Sequence, residues 1–225
     1  MSAQSLTQPS ARLSSTEIDP APDPRFARLA TDAQVAATMK ALESNGIRTL
    51  LAATPEEARR LVLELLPPGA QVFDSSSKTL LDLGIAEEVN RPGRFDSVRP
   101  RLSALAQEGK SAEQRRLGAA PDYILGSVHA ITEQGQLVIA SASGSQLGPY
   151  ASGAGAVIWV AGTQKIVPDL DAAFERLRAY TFPLENARAR KAYGVDSAIA
   201  KVLIVQKEFQ PGRATLVLVR ENLGF

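Results

Sequence analysis

The sequence predicts an α/β domain whose mostly parallel sheet is flanked by helices and whose chain ends in an antiparallel hairpin. Short apolar runs alternate with amphipathic helical patterns through the first half of the chain. Residues 156–160 form an uninterrupted apolar run, which is typical of a strand covered on both faces. Near the C-terminus, two strand-like runs flank a turn that contains proline and glycine. Alternating strands and helices favour a parallel sheet, because each helical connection returns the chain to the same edge.

Helix and strand signals alternate clearly before residue 90. Val35, Met39 and Leu42 recur at helical spacing, and Asn45-Gly46 is typical of a helix C-terminus. The segment Thr54-Pro55-Glu56-Glu57 combines an N-cap with a proline at the first helical position. The expected order is a helix through Leu42, a strand at 47–53, a helix from Thr54, a strand at 70–73 and a helix opened by Ser75, Ser76 and Ser77.

Signals in the second half of the chain are less regular. Residues 90–110 lack periodicity and contain four arginines among proline and glycine, which predicts a long irregular loop. The segment Glu133-Gln134-Gly135 is typical of a turn and predicts a hairpin between two strands. The other expected elements are a helix from Ser111, a short helix at 146–151, a strand at 156–160, a helix from Asp169, and the final hairpin of 202–205 with 215–219.

We expect one folded domain, residues 25–225, behind a leader. Residues 1–24 are rich in Ser, Gln, Ala and Pro and contain no apolar stretch that could form the core of a signal peptide. Such a segment buries too little surface to offset its ordering entropy, so a disordered leader and a cytoplasmic location are predicted.

Composition excludes several classes of function. The chain contains no cysteine, so it carries no disulfide, no iron–sulfur cluster and no thiolate-held metal, and with one histidine no metal site is predicted. No run approaches the roughly 18 apolar residues of a membrane span. A formal net charge of +1 argues against a nucleic-acid partner. No segment of the sequence satisfies the requirements of a nucleotide-binding motif, so no cofactor is assigned.

The serine-rich segment Ser75-Ser76-Ser77-Lys78 has three interpretations. Its Ser-x-x-Lys spacing resembles that of serine acyl enzymes, although their Ser-Asp-Asn and Lys-Thr-Gly companions are absent. The serines equally suit a helix N-cap, and such a helix start can also bind an anion. Gly109-Lys110-Ser111 and Gly153-Ala154-Gly155 resemble phosphate-binding loops but lack the flanking strand or helix these require.

The predicted hairpin region contains two residues that could act as an acid or a base. His129 lies within a predicted strand and has no evident catalytic partners, so a structural role is favoured. Glu133 occupies a turn between two strands, where a glutamate is usually solvated. Because this turn is expected near the loops at the end of the sheet, Glu133 is also a candidate acid or base.

The chain contains four recognisable blocks: residues 73–85, residues 122–127 with 130–137, residues 160–173 and residues 212–225. In this order they resemble blocks of the LUD-domain family of lactate-utilisation proteins, in a branch of uncharacterised relatives of the lactate utilisation protein C type. The resemblance implies a fold of the NagB/RpiA/CoA-transferase type. It also implies a link to the oxidation of lactate to pyruvate beside iron–sulfur partner subunits. Residues 190–201 lack the cysteines common in this branch.

Two hypotheses for function follow. In the first, the protein serves organic-acid metabolism and binds a small carboxylate or phosphorylated ligand in a loop-lined cleft, with Glu133 as acid or base. In the second, it is a non-catalytic accessory subunit of an iron–sulfur redox complex oxidising lactate, which predicts an exposed apolar patch. The residues expected to bind the ligand are Ser75, Ser76, Ser77, Lys78, Thr79, Ser141, Ser143, Gly144 and Gln146, and the resemblance adds Lys165, Asn186 and Arg188.

Overall fold

The computed structural model describes residues 20–225. Its helices are α1 (Asp32–Ser44), α2 (Pro55–Glu64), α3 (Lys78–Asp82), α4 (Ile85–Asn90), α5 (Val98–Gln107), α6 (Ser111–Ala119), α7 (Leu170–Arg176) and α8 (Phe182–Tyr193). Its strands are β1 (Arg48–Ala52), β2 (Gln71–Asp74), β3 (Asp96–Ser97), β4 (Tyr123–Gly126), β5 (Ala130–Thr132), β6 (Leu137–Ser141), β7 (Ala156–Gly162), β8 (Ile166–Val167), β9 (Lys201–Val205) and β10 (Ala214–Val219).

Two sheets organise this part of the chain. Within residues 20–225, six strands form a parallel sheet in the order β1-β10-β7-β4-β2-β3. Four more strands of the same range form a mixed sheet in the order β8-β5-β6-β9, in which β6 runs antiparallel to both neighbours. The predicted α/β class, with a mostly parallel sheet flanked by helices, is confirmed.

Burial on both faces explains the continuous apolar run of β7. Val157 and Trp159 pack into a core shared with α1 and the small sheet. Ile158 and Val160 pack on the opposite face, against α2 and the α3–α4 region. Successive side chains of a strand point to opposite faces, so a strand covered on both sides needs apolar residues throughout.

Local signals fix the helix starts well. Thr31 and Gln34 form a reciprocal capping box at α1, and the Thr54 side chain accepts a hydrogen bond from the Glu57 N–H at α2. Asp169 does the same for Ala172 at α7. These caps satisfy backbone donors that have no partner within the helix.

The prediction of an antiparallel C-terminal hairpin is wrong. Strand β9 pairs with β6 in the small sheet, whereas β10 lies between β1 and β7 in the large sheet and runs parallel to both. A turn does occur, with the Arg213 N–H bonded to the Gln210 carbonyl. The buried Arg213 side chain then binds backbone carbonyls of Ala154, Pro149 and Tyr150, which holds the chain on the large sheet instead of folding it back.

The prediction of a long irregular loop at residues 90–110 is also wrong, because this range contains β3 and α5. Val98 is the one buried residue of α5. A helix that buries so little has almost no apolar periodicity, so its sequence pattern resembles that of a loop.

The predicted leader lies largely outside the described residues, which begin at Pro20. At its end, the Asp23 N–H donates to the Ala179 carbonyl and the Asp23 side chain caps the Arg25 N–H. The division into a leader and a single domain stays a prediction. Between residues 20 and 225, every helix is too short or too polar to cross a bilayer, and His, Asp and Glu side chains form no metal-binding cluster.

Candidate functional site

A cleft opens at the C-terminal edge of the large sheet, between β2 and β4. The chain leaves β2 outward toward β3, whereas it leaves β4 through the small sheet toward β7 on the other side. Neighbouring parallel strands with diverging connections leave a crevice at their carboxyl ends, which is where ligands bind in open α/β sheets. The cleft has a volume of about 320 Å³.

The cleft wall is dominated by hydroxyl groups and cationic side chains. Of the described residues that line it, eleven carry a hydroxyl: Ser75, Ser76, Ser77, Thr79, Ser127, Ser141, Ser143, Ser145, Tyr150, Thr181 and Ser197. Lys78, Lys165, Arg188 and Glu185 also line it, together with His129. Lys78 pairs with Asp82, and Arg188 pairs with Glu185.

The buried carboxylate of Asp74 shapes the serine loop. It accepts the Ser76 N–H at 3.0 Å and the Asn90 side-chain amide at 3.1 Å, and the Arg99 guanidinium lies beside it. Ser76 adopts a left-handed backbone with φ of 59°. Residues other than glycine rarely adopt this conformation, and it costs about 1–3 kcal/mol when the surroundings enforce it.

Two expectations for the serine loop need correction. Helix α3 is only five residues long, and the Ser77 side chain makes no capping bond. A helix this short has little macrodipole, so anion binding here depends on side chains rather than on the helix N-terminus. Lys78 pairs with Asp82 one turn along, so the Ser-x-x-Lys lysine is not placed as a base for Ser75.

Ser75 instead lies against Tyr150, with 2.8 Å between the two hydroxyl oxygens. Burial raises the pKa of Tyr150 above its ordinary value. A Cβ on Gly126, at the end of β4, would overlap the Tyr150 hydroxyl and crowd the Ser75 hydroxyl. Gly126 is therefore required for the close approach of these two walls.

We expect Gly126→Ala to destabilise the protein by about 1–3 kcal/mol, because overpacking forces Tyr150 and Ser75 apart. Urea unfolding measures the change. Gly118→Ala is the matched control, since a Cβ on Gly118 in α6 meets Leu102 at an ordinary contact distance of 3.7 Å. Alanine in a helix interior is favoured over glycine by about 0.5–1 kcal/mol. Equal effects of the two substitutions would contradict the packing argument.

Lys165 forms the innermost part of the cleft wall. It follows β7 in a short 3-10 turn and is 0% exposed to solvent. Its Nζ donates to Ser127 Oγ at 2.9 Å and to Thr79 Oγ1 at 3.2 Å. Burial, reinforced by the nearby charge of Arg176, lowers the pKa of Lys165 well below its ordinary value, and Asp82 opposes this weakly. Among the described residues, no carboxylate pairs with Lys165.

His129 borders this cleft. Its Nδ1 accepts the Ala140 N–H at 3.0 Å, so the neutral ring carries its proton on Nε2. Burial, together with the charges of Lys165 and Arg176, lowers the pKa of His129 to about 3. The imidazole is therefore neutral at physiological pH.

Arg176 adds positive charge behind the wall. Its side chain is buried, and Nη1 binds the His129 carbonyl and Thr181 Oγ1. Nε and Nη2 have no hydrogen-bond partner in residues 20–225. Burial lowers the pKa of Arg176 to about 10, so the guanidinium stays charged.

Most of the residues predicted to bind a ligand come together in the cleft. Those that line it are Ser75, Ser76, Ser77, Lys78, Thr79, Ser141, Ser143, Gln146, Lys165 and Arg188. Gly144 does not line it but shapes the loop, because its N–H donates to Ser141 Oγ at 2.8 Å. Asn186 is buried behind the wall, where its side-chain oxygen accepts the Ser197 N–H at 2.7 Å.

Glu133 lies outside the cleft. His129 borders the cleft at one end of β5, whereas Glu133 follows the other end, four residues along, which is about 13 Å in an extended strand. Its carboxylate accepts the Gln34 side-chain amide at 3.0 Å, and Gly135 in the same turn packs on α1. The expectation that this turn would join the serine loop at one rim is wrong, because the small sheet points its turn toward α1.

The sequence did not single out Ser127 and Tyr150 as residues of this cleft, nor did it place His129 there. Ser127 directly follows β4, and a polar residue at the end of a buried strand was an available signal. Tyr150 carried no such signal, because it lies in a π-helical turn remote in sequence from its partner Ser75.

Known proteins similar to this chain include a domain family and solved structures of low identity. The family model of the LUD domain matches residues 35–219. No curated protein matches the chain. A DUF162 family protein from Deinococcus radiodurans is 12% identical, and the match covers 85% of this chain and 99% of that one with a TM-score of 0.46. The eIF2B beta of Chaetomium thermophilum is 17% identical over 51% of this chain and 39% of its own, with a TM-score of 0.34. Because the LUD-domain model matches most of the length of this chain, the chain belongs to the LUD-domain family.

Proposed function

We propose that the protein binds a small organic anion, a carboxylate or phosphorylated compound of the lactate and pyruvate type, in the cleft between β2 and β4. The observation that carries this proposal is a pair of buried basic side chains, Lys165 on the cleft wall and Arg176 behind it, neither of which pairs with a carboxylate in the described residues. The Arg176 guanidinium stays charged, and a buried cation is costly unless an anion accompanies it. A bound carboxylate or phosphate supplies that anion.

The charges around the cleft support an anion rather than a cation. Lys78 and Arg188 are neutralised by neighbouring carboxylates, whereas Lys165 and the adjacent Arg176 are not. The neutral His129 ring adds an Nε2–H donor. Serine hydroxyls on the opposite wall, in the loop after β6, can bond the remaining oxygens.

Thermal-shift titration with lactate, pyruvate, a sugar phosphate and a coenzyme A ester tests the proposal. A ligand present at 100 times its dissociation constant stabilises the protein by about 2.7 kcal/mol. Lys165→Met should lose most of this stabilisation and, because it replaces a buried amine by an apolar side chain, should not lower the melting temperature of the free protein. Lys110→Met is the matched control, since Lys110 is half exposed and pairs with Glu108.

One observation favours the accessory-subunit function as a second candidate. Four exposed apolar side chains follow one another along this part of the chain: Tyr193 at the end of α8, Val195 and Ile199 in the connection to β9, and Val202 in β9 itself. Strand β9 is an edge strand of the small sheet in the described part of the chain. If none of the anions shifts the melting temperature and an iron–sulfur protein copurifies with this chain, the accessory function is supported and the ligand proposal fails.

A further inference from the structure

We propose that Lys165 forms an imine with the carbonyl carbon of a small 2-oxo acid bound in the cleft. This inference rests on the proposed function and specifies its substrate class. A carboxylate satisfies the cationic wall, and an adjacent carbonyl gives the amine an electrophile.

The hydroxyl protons near Lys165 are committed away from its nitrogen. Ser127 Oγ lies 2.6 Å from the Val160 carbonyl oxygen, which can only accept, so Ser127 donates there. Thr79 Oγ1 lies 3.2 Å from Ser127 Oγ and 3.4 Å from the Leu223 carbonyl oxygen, and both of these can accept its proton. Ser127 therefore accepts a hydrogen bond from Lys165 and gives none back, and Thr79 Oγ1 accepts a second one.

Thr79 and Ser127 can accept both N–H groups of a neutral Lys165 amine. The side chain that carries this amine is buried and lines the cleft. The two accepting hydroxyls fix the position of the amine, which is what a nucleophile requires.

The surroundings of Lys165 also favour the unprotonated amine. Burial and the Arg176 guanidinium both lower its pKa, and desolvation next to a second cation is a recurring way to activate a lysine nucleophile. The absence of a carboxylate partner has the same effect, because an ion pair would hold the ammonium form.

The proposed step balances without any further reactant. The Lys165 lone pair forms a bond to the carbonyl carbon, and the two protons of the amine pass to the carbonyl oxygen, which leaves as water. One amine and one 2-oxo acid give one imine and one water, and neither is oxidised or reduced.

Reductive trapping tests this inference. The full-length protein is incubated with pyruvate or glyoxylate and sodium cyanoborohydride, then digested and mapped by mass spectrometry. We expect one dominant adduct, with the mass of the oxo acid less one water plus two hydrogens, on the peptide containing Lys165. It should be several-fold more abundant than any adduct on Lys110, absent from Lys165→Met and retained in Lys110→Met.

The outcomes separate this inference from the proposed function. If pyruvate and lactate both raise the melting temperature but no adduct above the Lys110 level forms on Lys165, the imine is rejected and anion binding stands. If neither anion shifts the melting temperature and no adduct forms, both are rejected. Peptide mapping of the unsubstituted protein gives this answer even if Lys165→Met does not fold.

Discussion

Replacing Arg213 by methionine is expected to lower the free energy of unfolding by about 3–5 kcal/mol, because it leaves a largely buried carboxylate and three backbone carbonyls without their partner. Arg213 is 5% exposed, and its Nη1 pairs with Glu208 at 2.6 Å. Its other donors bind the carbonyls of Ala154, Pro149 and Tyr150. These carbonyls would also lose their partners.

Urea unfolding at neutral pH measures this effect, with Arg60→Met as the control. Arg60 lies on α2 with a side chain 57% exposed, and it pairs with Glu64 four residues along. Exposed pairs of this kind contribute about 0.3–0.5 kcal/mol. A loss at Arg213 no larger than that at Arg60 would show that the buried anchor does not hold β10 in the large sheet.

We expect His129 to make the protein less stable in acid. The pKa of His129 is lowered from 6.5 to about 3 in the folded protein, so between these pH values the imidazole is protonated in the unfolded chain and neutral in the folded one. The contribution of the neutral imidazole to the free energy of unfolding is therefore fully present above pH 6.5 and is lost as the pH falls toward 3. The slope contributed by one such group is at most about 1.4 kcal/mol per pH unit.

His129→Asn should flatten the pH dependence between about pH 6.5 and 4. The asparagine side-chain oxygen can still accept the Ala140 N–H, so the local backbone keeps its bond. Free energies of unfolding from urea titrations at several pH values provide the test. Because His129 is the only histidine in the chain, parallel curves for the two proteins would contradict the lowered pKa.

Much of the fold could be predicted because its signals are local. The cap at Thr54 and the apolar run of β7 each depend on a few neighbouring residues, and both have the predicted structure. Helix α5 was missed for the complementary reason: it buries only Val98, so no periodic pattern marks it.

The cleft was predicted only in part. The serine loop and the segment around Ser141 line it, because both directly follow strands and carry polar side chains. Glu133 was placed at the same rim on the assumption of a single sheet. The hairpin that carries it belongs to a second sheet, and no local pattern in the sequence distinguishes the two sheets.

The amino-acid sequence alone determined the α/β class, most element boundaries and the absence of thiol chemistry, because propensity, capping and composition act over a few residues. Only the tertiary structure decided that β10 enters the large sheet, that the Glu133 turn faces α1, and that Lys165 meets Thr79 and Ser127 without a carboxylate. These outcomes depend on contacts between residues 38 to 99 positions apart and on buried charge, which a linear pattern does not encode.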